Sequence, residues 1–139
     1  MVYADSSFLV SLYVTDSHSA DSRHRMLTAP SLWLTPLHIA EWSHAIAQHM
    51  FRGELKPNEV TDLYRQLEDD KQGGVWVEAE LPESAFEICA DLARRHGPKL
   101  GLRTLDSLHV ACALELKADR FWTFDDRQAK LAKAEGLKI

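Results

Sequence analysis

Four acidic residues of this chain have positions that suit metal-assisted chemistry: Asp5, Glu41, Asp106 and Asp125. Carboxylate oxygens are the ligands that Mg²⁺ and Mn²⁺ prefer in proteins. Four such groups with no obvious Lys or Arg interleaved would repel one another unless a cation lay between them. Carboxylate-bound metal ions suit phosphodiester hydrolysis, because they lower the pKa of a bound water and stabilise the leaving oxygen. The residues therefore predict a metal-dependent hydrolytic site.

Two of these acids follow apolar runs that are predicted to be strands. Asp5 comes directly after Val2–Ala4, and Asp125 comes shortly after Phe121–Thr123. Parallel sheets form their sites beyond the carboxyl ends of the strands. We therefore expect Asp5 and Asp125 to project from the same edge of a sheet.

The other two acids lie in predicted helices. Asp106 falls in the first turn of a helix expected over Leu105–Leu116, which is apolar almost all round and should be buried. Each acid alone also fits an ordinary role: Asp5 and Asp125 as N-caps, Asp106 as a partner of the helix dipole, and Glu41 as an exposed helix residue. Their convergence on one edge favours the site.

Neighbouring hydroxyl and acidic side chains could assist these groups. Ser7 and Thr123 each lie two residues from an acid, Asp5 and Asp125 respectively. Their hydroxyls could orient a carboxylate or a water, although capping explains them equally well. Asp126 could be an alternative ligand or the cap of the last helix, and we expect the cap.

The elements that position these residues alternate along the chain. Predicted strands are Val2–Ala4, Leu32–Leu34, Val75–Val77, Phe121–Thr123 and Leu137–Ile139. Helical patterns follow the first strand and then run from Pro36 to about Gly53, from Pro57 to Gly73, from Pro82 to Gly97-Pro98, over Leu105–Leu116 and over Arg127–Ala134. This alternation predicts an α/β fold in one domain over residues 1–139: a three-layer α/β/α sandwich with a short parallel sheet of about five strands.

Composition excludes several other classes of protein. With 45% hydrophobic and 27% charged residues, the chain resembles an ordinary globular protein. No apolar run approaches the roughly 20 residues that span a membrane, and the N-terminus does not resemble a signal peptide, so we expect a cytoplasmic protein. Cys89 and Cys112 fall in helical apolar patterns and are predicted to be buried thiols. No Cys/His spacing indicates zinc.

The net charge of −5 is distributed unevenly. Residues 1–93 hold 6 Lys+Arg and 15 Asp+Glu, a balance of −9, whereas residues 94–139 hold 10 and 6, a balance of +4. This asymmetry suggests a basic surface, densest at Arg94, Arg95, Lys99 and Arg103, that could steer an RNA backbone. A solvated helix end without a partner is an equally good explanation.

The sequence resembles the PIN-domain family, and within it the VapC toxins of toxin–antitoxin pairs. Four segments carry the resemblance, in the same order and at similar spacing: Val2-Tyr3-Ala4-Asp5-Ser6-Ser7, Ile39-Ala40-Glu41, Leu105-Asp106-Ser107-Leu108-His109-Val110-Ala111 and Thr123-Phe124-Asp125. Each motif alone is weak, but the ordered set is specific and covers essentially the whole chain.

This resemblance implies a five-stranded parallel sheet and Mg²⁺- or Mn²⁺-dependent endoribonuclease activity. It also implies a homodimer and inhibition by a cognate VapB-type antitoxin. Asp5, Glu41, Asp106 and Asp125 match the acidic positions of the family, and Ser7 and Thr123 its usual hydroxyl neighbours. His109 matches a common residue of its helix, and we expect it to be a packed core histidine.

Two alternative functions remain at this point. One is an RNA-processing PIN nuclease without an antitoxin. The other is a receiver-like signalling domain, which also gathers acids at strand ends, but its acidic pair, phospho-acceptor and lysine are not evident here. The RNA that would be cleaved cannot be named, because RNA recognition rests on shape and on splayed bases.

Overall fold

A computed structural model describes residues 1–29 and 31–139 of the chain. The elements are, in chain order, β1 (Val2–Ala4), α1 (Ser6–Tyr13), α2 (Ser19–Met26), β2 (Leu32–Leu34), α3 (Pro36–Phe51), α4 (Pro57–Gln72), β3 (Trp76–Glu78), α5 (Ala85–Leu100), α6 (Thr104–Glu115), β4 (Arg120–Trp122) and α7 (Asp126–Ala134). Within these two ranges, no helix combines the length and the apolar character that crossing a membrane requires.

The chain divides into two compact units. The first consists of Met1–Asp5 together with Glu80–Ile139, and the second of Ser6–Ala79. The first unit therefore contains β1, α5, α6, β4 and α7, and the second contains α1, α2, β2, α3, α4 and β3.

The core of the first unit forms around a parallel strand pair and a buried helix. β1 pairs with β4 in parallel, with Tyr3 opposite Phe121, and the rings of these two residues stack at 5.8 Å between centroids. In α6 every residue from Ser107 to Ala113 is buried, which confirms the helix predicted to be apolar on all sides. His109 is buried and its Nδ1 lies 2.9 Å from the Tyr3 hydroxyl, as expected of a core histidine.

Several boundaries in this unit differ from the sequence prediction. The helix expected to begin at Pro82 begins at Ala85, because residues 83–84 form a turn before it. The helix expected to end at Gly97-Pro98 continues through Pro98 to Leu100, although Pro98 cannot donate a backbone hydrogen bond there. The helix ends instead at Gly101, which adopts the left-handed conformation at φ 62°. The predicted strand Leu137–Ile139 forms only an isolated bridge between Lys138 and Arg120.

The second unit also contains a parallel strand pair. β2 pairs with β3, with Leu32 opposite Trp76. α3 begins as its Pro36 predicts: the Thr35 backbone N–H donates to Nδ1 of His38 at 3.0 Å, which closes the first turn. The parallel pairing in both units confirms the α/β class, although the described residues form four strands rather than about five.

Helix α2 was not predicted from the sequence. Its residues Ser19–Met26 have no apolar stripe. Instead, the hydroxyls of Ser22 and Ser11, both fully buried, are hydrogen-bonded to each other between α2 and α1. A contact between two serines leaves no hydrophobic periodicity in the sequence, which explains why pattern analysis missed this helix.

The two cysteines are free and buried. Burial raises the pKa of the Cys112 thiol to about 11, and it raises the pKa of Cys89 as well. Both are therefore protonated at neutral pH, which agrees with the predicted structural role.

Candidate active site

The parallel pairing of β1 with β4 brings Asp5 and Thr123 together. Ala4 lies opposite Trp122, and the pairing continues one residue further, where the Asp5 N–H donates to the Trp122 carbonyl at 2.9 Å. Asp5 and Thr123 are 7% and 5% exposed. The Thr123 hydroxyl lies 3.0 Å from Oδ2 of Asp5, so a residue predicted to orient an acid contacts one.

A glutamine on α7 completes this contact. Gln128 is fully buried, and its Oε1 lies 2.6 Å from the Thr123 hydroxyl. Its Nε2 donates to the backbone carbonyl of Asp106 at 3.1 Å. Sequence analysis did not single out Gln128, but a signal was present: Gln128 shares the buried face of α7 with Leu131 and Ala132, where an apolar residue is the norm.

Asp125 occupies the N-cap of α7. Its Oδ1 accepts hydrogen bonds from the backbone N–H groups of Arg127 at 2.8 Å and Gln128 at 2.9 Å. The prediction that Asp126 caps this helix is therefore wrong: Asp126 is exposed and forms the first helical residue. A cap must have extended backbone just before the helix, and Asp125 has it, with φ −90° and ψ 118°.

Asp106 lies half-buried in the first turn of α6 and has a basic partner. Arg103 donates from Nε to Oδ2 at 2.8 Å and from Nη2 to Oδ1 at 3.3 Å. The expectation that no Lys or Arg is interleaved among the acids is therefore wrong at this position. The guanidinium reaches the carboxylate because the two residues are three apart at the start of a helix.

Glu41 lies in the second unit, half-buried on α3. The Ser6 hydroxyl donates to Oε2 of Glu41 at 2.6 Å, and Ser6 is 7% exposed. Ser7, the hydroxyl neighbour predicted from the sequence, is exposed, and the adjacent Ser6 also lies against an acid. At the start of α1, a shift of one residue turns a side chain by about 100° around the helix axis, which sequence spacing alone cannot resolve.

The predicted basic residues are partly paired with acids. Arg95 donates to Asp91 at 2.6 Å and forms two hydrogen bonds to Glu135, the shorter at 2.7 Å. Arg95 holds the pKa of Glu135 below its usual value, with a smaller contribution from His96. Arg94 lies 3.9 Å from Asp91, and Lys99 is exposed. The positive charges of Arg95 and Arg103 are therefore offset locally by acids.

The donor chemistry of the acidic residues fits a hard divalent cation. All are carboxylates. At Asp5, the Thr123 hydroxyl has a single proton but lies within hydrogen-bond distance of two oxygen acceptors, Asp5 Oδ2 and Gln128 Oε1. Gln128 Oε1 could therefore accept that proton if Asp5 held a cation. Across residues 1–29 and 31–139, no three His, Cys, Asp or Glu side chains are already grouped closely enough to hold a metal ion. Asp106, which is paired with Arg103, would have to change partner to become a ligand.

Comparisons with known proteins identify the family. The PIN domain family model matches residues 2–134. VapC20 of Mycobacterium tuberculosis, described as a sarcin-ricin loop cleaving toxin, is 14% identical with a TM-score of 0.68, and the match covers 99% of this chain and 96% of that chain. FitAcB of Neisseria gonorrhoeae is 16% identical with a TM-score of 0.69, covering 96% and 94%. A search of curated protein sequences gives no match.

The two structural likenesses concern the fold, because the sequence identities are low. They confirm the PIN-like α/β fold predicted from the sequence. The family model adds evidence from the sequence itself over nearly the whole length of the chain. The chain therefore belongs to the PIN-domain family.

Proposed function

We propose that this protein is a metal-dependent endoribonuclease of the VapC toxin type. Membership of the PIN-domain family supports this, as does the likeness to VapC20, a toxin that cleaves the sarcin-ricin loop. One structural observation carries the proposal: at the ends of β1 and β4, the Asp5 carboxylate and the Gln128 amide share the Thr123 hydroxyl. The same unit also carries Asp106 and Asp125.

Asp5, Glu41, Asp106 and Asp125 are the proposed ligands of Mg²⁺ or Mn²⁺. The ion, when bound, would lower the pKa of a water to give hydroxide and would stabilise negative charge on the phosphate. Asp106 would exchange Arg103 for the cation, because the guanidinium holds both of its oxygens.

Residues around the acids would keep the carboxylates in position. Thr123 would orient Asp5, and Ser6 would orient Glu41, since each hydroxyl lies within hydrogen-bond distance of its carboxylate. A carboxylate that is already oriented loses less freedom when it binds a cation. We propose that Ser6 has this role on α1, in addition to the predicted Ser7.

The RNA backbone would be attracted by the basic residues of α5 and the loop that follows. Arg94, Arg95, Lys99 and Arg103 remain the proposed group. Within it, Arg94 and Lys99 would contribute most, because Arg95 and Arg103 already pair with acids at hydrogen-bond distance.

The experiment that tests this function is cleavage of RNA by the purified protein. The substrates are an oligonucleotide that copies the sarcin-ricin loop and a mixture of total RNA. Cleavage should require Mg²⁺ or Mn²⁺ and should stop with EDTA. Asp5→Asn should lower the rate by more than the roughly 10- to 100-fold that is typical of losing a residue that only orients a metal ligand.

Asp126→Asn is the matched control, because Asp126 is an exposed acid beside the proposed ligand Asp125. This variant should cleave at the wild-type rate. Cleavage that persists in EDTA, or an Asp5→Asn variant as active as the wild type, would refute the metal mechanism.

Partners distinguish the toxin from the second candidate, an RNA-processing PIN nuclease. A toxin would act in the cytoplasm, form a homodimer, and be neutralised by a VapB-type antitoxin. A short neighbouring gene for a DNA-binding protein that co-purifies with this chain and blocks cleavage would support the toxin. Constitutive expression without such a partner and without growth arrest would favour RNA processing. Membership of the PIN-domain family removes the receiver-like alternative.

A further inference from the structure

Gln128 is a fully buried amide in a helix face that is otherwise apolar. Burying an amide is costly unless its donor and acceptor both find partners. Here they do, since the Asp106 carbonyl and the Thr123 hydroxyl lie 3.1 Å and 2.6 Å from the two ends of the amide. An apolar residue such as leucine would fill this position without needing partners, so the presence of Gln128 requires another explanation.

The orientation of the amide follows from chemistry. The Asp106 carbonyl can only accept a hydrogen bond, so the amide nitrogen must face it. The amide oxygen then faces Thr123 and accepts the hydroxyl proton. This arrangement fixes the direction of the Thr123 hydroxyl, whose oxygen also accepts from the Asp125 N–H at 3.0 Å.

Gln128 also contacts the third acid-bearing segment. Its backbone N–H donates to Oδ1 of Asp125 at 2.9 Å. One residue therefore touches the carboxylate of Asp125, the main chain of Asp106, and the hydroxyl that lies against Asp5. Asp106 lies 22 residues before Gln128 in the sequence, and Asp5 lies 118 residues before Thr123.

We propose that Gln128 is a positioning residue of the nuclease site, which sets the Thr123 hydroxyl and the start of α6 so that Asp5 and Asp106 can bind the same cation. This inference rests on the proposed function. The Gln128 oxygen offers the Thr123 proton a second acceptor, so that Asp5 Oδ2 can give up this hydrogen bond when a cation binds. Removing the amide would allow the hydroxyl to turn toward Asp5 and would loosen the Asp106 segment.

The test compares Mn²⁺ binding with thermal stability in the full chain. Mn²⁺ affinity is measured by electron paramagnetic resonance for the wild type, Gln128→Leu and Gln128→Glu. Leucine has a similar size and no polar atoms. Glutamate keeps an oxygen for Thr123 but, when ionised, has no donor for the Asp106 carbonyl. Leu131→Val is the control, because Leu131 is fully buried on the same face of α7 and makes no polar contact.

We expect both Gln128 variants to bind Mn²⁺ about 10- to 100-fold more weakly than the wild type. Their kcat for RNA should fall while KM changes little. Leu131→Val should lower the melting temperature and leave Mn²⁺ affinity unchanged. Gln128→Glu guards against the case in which leucine prevents folding.

The outcomes separate this inference from the proposed function. If the wild type binds Mn²⁺ and both folded Gln128 variants bind it equally well, Gln128 is only structural and the inference is wrong. If the Leu131 control loses affinity to the same extent, the effect is one of general stability, and the inference is again wrong. If the wild type binds no Mn²⁺, the proposed metal mechanism fails and this inference fails with it.

Discussion

Replacing Thr123 by valine removes one hydroxyl from the junction at the ends of β1 and β4 and keeps the shape of the side chain. That hydroxyl lies 2.6 Å from Gln128 Oε1 and 3.0 Å from Asp5 Oδ2, and it accepts from the Asp125 N–H at 3.0 Å. Valine can make none of these contacts. The substitution therefore leaves polar groups in a buried site without the partner that they share.

The cost can be worked from these contacts. A hydroxyl donates one proton at a time, so one donated and one accepted hydrogen bond are lost. Each buried group that loses its partner costs about 1–3 kcal/mol, which together gives about 2–6 kcal/mol for Thr123→Val. For 139 residues the entropy of unfolding is about 0.3 kcal/mol/K. We therefore expect the melting temperature to fall by about 7–20 °C.

The assay is thermal unfolding followed by circular dichroism, without metal and again with saturating Mg²⁺. Thr123→Ser is the control, because serine keeps the hydroxyl and loses only a methyl group, worth about 0.5–1.5 kcal/mol. With Mg²⁺ the deficit of Thr123→Val should grow, because a cation that binds the variant more weakly than the wild type stabilises it less. A melting temperature within 3 °C of the wild type, about 1 kcal/mol, would refute this account of the junction.

Two further predictions concern contacts outside the site. Tyr13→Phe should lower the free energy of unfolding by about 2–3 kcal/mol in a urea titration. The reason is that the Tyr13 hydroxyl donates to Asp70 at 2.6 Å and accepts from Trp76 Nε1 at 2.7 Å. A loss under about 0.5 kcal/mol would contradict this. Because Arg95 lowers the pKa of Glu135, their contact stabilises the fold above the unfolded pKa of Glu135 and is lost as pH falls through the lower folded pKa. Urea titrations at pH 7 and at pH 3 give the loss of stability on acidification for each protein. We expect this loss to be about 0.5–1 kcal/mol smaller for Glu135→Gln than for the wild type. Equal losses would argue against the contact.

The fold class could be predicted because it depends on local patterns. Val2–Ala4 and Leu32–Leu34 are strands with the predicted bounds, and α3 and α4 begin at the predicted prolines. These elements are encoded by short apolar runs and by helix-start residues, which act within a few positions of the chain. Strands β3 and β4 differ from prediction by one residue, as expected of ends that depend on the pairing partner.

Helix α2 and the end of α5 were not predictable in the same way. The contact between Ser11 and Ser22 involves two polar side chains that pattern analysis assigns to the surface. Pro98 is a helix breaker by its local chemistry, yet α5 continues through it to the left-handed Gly101. In both cases packing within the folded unit overrides the local preference.

The sequence by itself determined the family, the α/β class and the four acidic residues proposed as ligands, because each is encoded by residue type and spacing. Only the tertiary structure decided which side chains contact these acids. It placed Ser6 against Glu41, moved the cap of α7 from Asp126 to Asp125, paired Arg103 with Asp106, and revealed Gln128. The physical reason is that a hydrogen bond forms only when a side chain points in the right direction and places its atom to within a few tenths of an ångström. The packing of distant segments sets that direction, and sequence spacing does not record it.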